Sequence, residues 1–160
     1  MIEVDHHRDI VARSAMTRIV VSRTMPVPQS RVWAAIADLG SHPTWMKDAK
    51  WIVFKGDQRQ GEGTRMEVKT VVGPLRTIDV MEVVGWEEGR SIEVVHRGLV
   101  TGRGTLRAEP EDGQTVVSWN EDLTFPWWLG GPVTARLARP GLAGLWRGNL
   151  RRLEESLTSP

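Results

Sequence analysis

From Lys50 to Phe125 the chain is a run of short β-rich segments, each closed by a turn signal. WIVFKG (51–56) leads into RQGEG, TRMEVKTVV (64–72) into Gly73-Pro74, and LRTIDVMEVVGW (75–86) into Glu87-Glu88-Gly89. RSIEVVHR (90–97) stops at Gly98, and VTGRGTLRAE (100–109) at Pro110 and the hairpin signal Glu111-Asp112-Gly113. QTVVSWNEDLTF (114–125) stops at Pro126. Connections this short join antiparallel neighbours, so the six segments predict a meander. TRIVVSRTM (17–25), rich in β-branched residues, adds a seventh strand at the front.

The remaining elements read as helices. Pro28 fits a first helical turn, and Val32, Trp33, Ile36 and Leu39 mark one face, with Gly40 as the stop. SHPTWMKD (41–48) predicts a short second helix or turn. Near the end, Leu142, Trp146, Leu150, Leu153 and Leu157 step by about one helical turn and form a stripe, with Val133 and Leu137 assigned to the same face. Pro140-Gly141 is expected to kink or break this segment. A twisted antiparallel sheet must bury one face, and the long helix is the apolar element left to cover it. The prediction is an α+β domain in which a curved seven-stranded sheet grips a C-terminal helix. A curved sheet and a straight helix do not mesh fully, which leaves room for a cavity.

Length and composition fit that picture. A chain of 160 residues makes one domain large enough to fold without disulfides or metal. There is no cysteine, which removes thiolate chemistry and cysteine metal sites and agrees with a reducing cytoplasm. A net charge of +1 gives no overall attraction to nucleic acid. No stretch reaches the ~18 apolar residues of a spanning helix. Residues 1–16 read as a mobile tail, with residues 17–158 as the single domain; His6 and His7 are adjacent, so their side chains diverge, and no metal site is expected.

Three features resemble the START/Bet v 1-like superfamily, in particular its bacterial polyketide cyclase/dehydrase and lipid-transport branch. One is P-x-x-x-V-W-x-x-I-x-D (Pro28, Val32, Trp33, Ile36, Asp38), followed by Pro43 and Trp45. Another is the G-x-G-T run at Gly61, Gly63 and Thr64. The third is VVSWNEDLTF (116–125) passing through Pro126 into an Arg-rich helix. The resemblance implies a helix-grip fold with a hydrophobic ligand cavity, no cofactor, and Trp45 either closing the cavity mouth or packing on the first helix. Lining is expected from Trp45, Met66, Val68, Val94, Trp119, Leu142 and Trp146.

Within that frame two polar residues stand out. Alternation puts Glu121 on the same face of the last strand as Val117, Trp119, Leu123 and Phe125. A carboxylate on an apolar face marks either a paired or rim residue or a functional one. His96 shares a face with Ile92 and Val94. If both enter the cavity they supply acid–base chemistry. No H-E-x-x-H, P-loop or G-x-S-x-G motif occurs, and Gly102-x-Gly104 leads into a strand, where close packing is the expected role. Arg136, Arg139, Arg147, Arg151 and Arg152 are expected on the solvated outer face of the last helix, without membrane contact. Three functions remain open: binding or transport of a hydrophobic molecule, a cyclase, aromatase or dehydratase using Glu121 and His96, and a regulatory or chaperone-associated module.

Overall fold

The computed structural model describes residues 16–159. The expectation of a tail falls on residues outside that range, except that Met16 opens the first strand. The strands are β1 (Met16–Met25), β2 (Ala49–Phe54), β3 (Arg65–Val72), β4 (Leu75–Glu87), β5 (Ser91–Arg97), β6 (Thr101–Glu111) and β7 (Gln114–Thr124). The helices are α1 (Gln29–Ala37) and α2 (Gly131–Thr158), with 3₁₀ turns at Leu39–Thr44 and Trp127–Leu129. The seven strands form one antiparallel sheet in the order β1-β7-β6-β5-β4-β3-β2. β2 through β7 are the predicted meander, and β1 returns to pair with β7.

Local chemistry fixes the register. At the β6–β7 turn Asp112 and Gly113 both have positive φ (48° and 78°), the requirement of the two-residue hairpin turn whose twist matches its strands. β6 does not end before Pro110 as the sequence suggests; it continues to Glu111. The Ala108 N–H, two residues earlier, donates to Arg90 O just before β5 begins, so the ring nitrogen of Pro110 faces the side that β5 has vacated. Its missing N–H therefore costs no ladder bond.

α2 is one unbroken helix of 28 residues, about 42 Å at ~1.5 Å per residue. Pro140 is exposed on its outer side, where water can satisfy the freed carbonyl, so the expected break does not occur. The apolar stripe does not reach the start of the helix. Val133 and Leu137 are 67% and 75% exposed. Val133 and Leu142 are nine residues apart, which at ~100° per residue puts them on opposite sides of the helix. Thr134, Ala135 and Ala138 turn inward instead, ahead of Leu142, Trp146, Leu150 and Leu153. The helix packs chiefly on β1 and β7. That leaves the inner faces of β3, β4 and β5 without a helix directly upon them, and there the cavity opens.

Candidate functional site: an apolar cavity with a buried acid–imidazole pair

The cavity has a volume of about 440 Å³, within the roughly 300–1,000 Å³ typical of small-molecule sites. Met66 and Val68 on β3, Val94 on β5, Trp119 on β7, and Leu142 and Trp146 on α2 all line it. Trp119 and Trp146 stack with ring centres 5.4 Å apart and planes 23° from parallel, presenting a flat aromatic wall. Trp45 is the exception. It is buried, 2% exposed, packed against His42 (4.9 Å) and Trp119 (6.3 Å), and is not among the lining residues. It backs the wall rather than closing the mouth.

The polar groups gather on the inner faces of β4, β5 and β7. Glu121 is 5% exposed, and the Trp119 indole Nε1–H donates to its Oε1 at 2.9 Å. His96 Nε2 lies 3.3 Å from Glu121 Oε2. The sequence offered these two residues separately; the β6 strand between β5 and β7 brings them together by being nearly absent as side chain. Gly104 stands opposite Glu121 in the β6–β7 ladder, and a Cβ there would sit 2.3 Å from Glu121 Oε1. The same device recurs nearby: a Cβ at Gly98 would sit 1.8 Å from Asp79 Oδ1. Burial works against a charge on His96, but the Glu121 carboxylate, and more weakly the charge of Asp79, outweigh it and raise the imidazole above its ordinary 6.5.

Asp79 is a cavity residue that sequence reasoning missed. It is 6% exposed, lines the cavity, and accepts from Thr77 Oγ1 at 3.2 Å. Its neighbours Ile78 and Val80 are apolar yet point outward, 55% and 39% exposed. Apolar residues thus occupy both phases of β4, and alternation alone cannot assign Asp79 a side. The signal that finds it is Gly98, the glycine just past the end of β5, which vacates the space its carboxylate fills.

A second polar network ties α2 to the segment before β2. The Asn149 Nδ2–H donates to Asp48 Oδ1 at 2.7 Å, and the Lys47 N–H donates to Asn149 Oδ1 at 3.0 Å. Arg152 Nε donates to Trp45 O at 3.0 Å, and its terminal nitrogen donates to Asn149 Oδ1. Arg152 is therefore not a solvated outer-face residue, unlike Arg136, Arg139, Arg147 and Arg151, which are exposed as expected. Burial raises the Asp48 carboxyl above its usual range despite the Asn149 amide. His42 is also buried, with Nε2 2.8 Å from Ile36 O, and desolvation lowers its pKa to about 4, so it is neutral.

A curved antiparallel sheet gripping one long C-terminal helix, with a ligand-sized apolar cavity between them, defines a helix-grip domain. The sequence profile of the family described as polyketide cyclase / dehydrase and lipid transport matches residues 16–158. The chain belongs to that family. Similar solved structures agree in fold. A Thermus thermophilus protein is 20% identical, with a TM-score of 0.74 over 88% of this chain and 97% of its own. The Zhui aromatase/cyclase of a Streptomyces species is 15% identical, with a TM-score of 0.73 over 89% and 93%. A START superfamily protein from Mycobacterium smegmatis is 12% identical, with a TM-score of 0.71 over 88% and 96%. A search of curated protein sequences found no match. Among the described residues no helix is long and apolar enough to cross a membrane.

Proposed function

We propose that this domain binds a hydrophobic small molecule, lipid-like, isoprenoid or polyketide-like, inside the cavity between sheet and helix. The observation that carries the reading is the cavity itself: about 440 Å³ of space walled mainly by apolar side chains. A void of that size left dry would forfeit the packing of every residue around it, and an apolar guest restores those contacts. The test is a titration of flat polycyclic phenols and apolar dyes, followed by tryptophan emission. The stacked Trp119–Trp146 pair on the wall makes a saturable change the expected result. Val94→Trp should fill the space and remove the response while the far-ultraviolet circular dichroism stays unchanged. No response to any probe, or an unchanged response in Val94→Trp, would refute the reading.

The 3.3 Å approach of His96 to Glu121 favours a second reading, a cyclase, aromatase or dehydratase. A protonated imidazole beside a carboxylate in an apolar site can protonate a carbonyl oxygen and take a proton from the adjacent carbon. The likeness in fold to an aromatase/cyclase supports it. Turnover of a cyclisable poly-ketone that falls by about 10²–10⁴ in Glu121→Gln would establish this reading over simple binding.

A further inference from the structure

Two buried polar atoms in the cavity lack a hydrogen-bond partner: His96 Nε2 and Glu121 Oε2. They stand 3.3 Å apart, close enough to attract as charges but not aligned as donor and acceptor. Glu121 Oε1 is already occupied by the Trp119 indole, so only Oε2 is open. An unpaired buried donor and an unpaired buried acceptor each carry a desolvation cost that a correctly placed guest would recover.

We propose that the ligand of this cavity carries a hydroxyl group, as an alcohol, phenol or enol, that bridges His96 Nε2 and Glu121 Oε2 from one side. This rests on the reading of the cavity as a binding site for a hydrophobic molecule and names the polar end of that molecule. A hydroxyl holds one donor and two acceptor lone pairs on a single oxygen. Placed about 2.8 Å from both atoms, it donates to the carboxylate and accepts from the imidazole N–H at once. A ketone or an ether only accepts, and an ammonium only donates, so each leaves one of the two atoms unpaired.

The charge on the walls separates the hydroxyl from a carboxylate head. The lining carries the carboxyls of Asp48, Asp79 and Glu121. Among the described lining residues there is no lysine or arginine, and His42 is neutral with its Nε2 held by Ile36 O. A carboxylate guest would face three acidic groups with one imidazole as its only cation, in a medium where charges are weakly screened. It can supply no donor to Glu121 Oε2 either.

Isothermal titration with 2-naphthol, naphthalene and 2-naphthoate at neutral pH tests this, since the three share one ring system. The expected order is 2-naphthol tighter than naphthalene by about tenfold or more, a single recovered hydrogen-bonding site, with 2-naphthoate the weakest. Glu121→Leu, which removes the open acceptor, should bring 2-naphthol down to the level of naphthalene. Wild-type naphthalene binding as tightly as 2-naphthol, or 2-naphthoate as tightly as either, overturns the hydroxyl assignment and leaves the cavity reading standing. If none of the three binds, the cavity reading fails and the assignment falls with it.

Discussion

Gly104 and Glu121 face each other across the β6–β7 ladder, and the carboxylate occupies the space that a side chain at position 104 would take. The glycine is there for room: its φ is not among the positive values of the chain. Gly104→Ala puts a methyl group 2.3 Å from Glu121 Oε1 and must push the carboxylate off Trp119 and His96. Overpacking of this kind costs roughly 1–3 kcal/mol. The loss should appear in urea melts, with a downfield Trp119 indole N–H resonance lost in the same variant. A melt and an indole spectrum like those of the wild type would mean Glu121 does not lie over Gly104.

The inward and outward faces of α2 respond differently to substitution. Trp146 is 6% exposed and stacked on Trp119, so Trp146→Ala should cost about 3–5 kcal/mol. Arg152→Ala removes donors from Trp45 O and Asn149 Oδ1, which should cost roughly 1–2 kcal/mol. Arg151, exposed and 3.5 Å from Glu155, should change stability by no more than about 0.5 kcal/mol when truncated. Chemical denaturation of the three variants checks the order. Equal effects of the two arginines would refute the network between α2 and Trp45.

What the sequence discloses and what it hides follow one physical rule. The strand order and the inner face of β7 are legible because turn residues and alternation are local properties. Glu121 is found because its four face-mates are apolar. Asp79 is hidden because Ile78 and Val80 fill the opposite phase of the same strand. Val133 and Leu137 are misassigned although the helical period is a local signal that excludes them: at ~100° per residue both lie well off the Leu142 face, and the small residues Thr134 and Ala138 face the cavity instead. The pairing of His96 with Glu121 is a tertiary fact. It depends on β6 lying between their strands with a glycine where a side chain would separate them.

Burial of His42 predicts an acid-sensitive fold. Its folded pKa of about 4 lies below the ordinary 6.5, so between those values the unfolded chain binds the proton more readily. The penalty from His42 is absent above about 6.5 and grows as the pH drops toward 4, to about 3 kcal/mol over the whole window. His42→Gln keeps a donor for Ile36 O without the titration. Its stability should change less than that of the wild type between neutral pH and pH ~4.5, both measured by urea melts. Parallel pH profiles would show that His42 is not the group responsible.

His96 has the opposite sign. Its folded pKa is raised, so its protonation favours the fold: the contribution is fully present below the ordinary 6.5 and is lost as pH rises through the folded value. Glu121→Gln removes the carboxylate that holds the proton while keeping the side chain's shape. The His96 ring proton, followed by NMR, should therefore titrate at lower pH in the variant than in the wild type. The wild type's stability should decline between neutral and alkaline pH, and that decline should be smaller in Glu121→Gln. The two functional readings then part at the same substitution. For a binding protein, losing the charge changes affinity for an apolar ligand modestly. For a cyclase or dehydratase it removes the proton acceptor, a loss of about 10²–10⁴ in turnover. An unchanged His96 titration in Glu121→Gln would mean that the 3.3 Å approach carries no electrostatic coupling, and the acid–base reading would lose the pair it rests on.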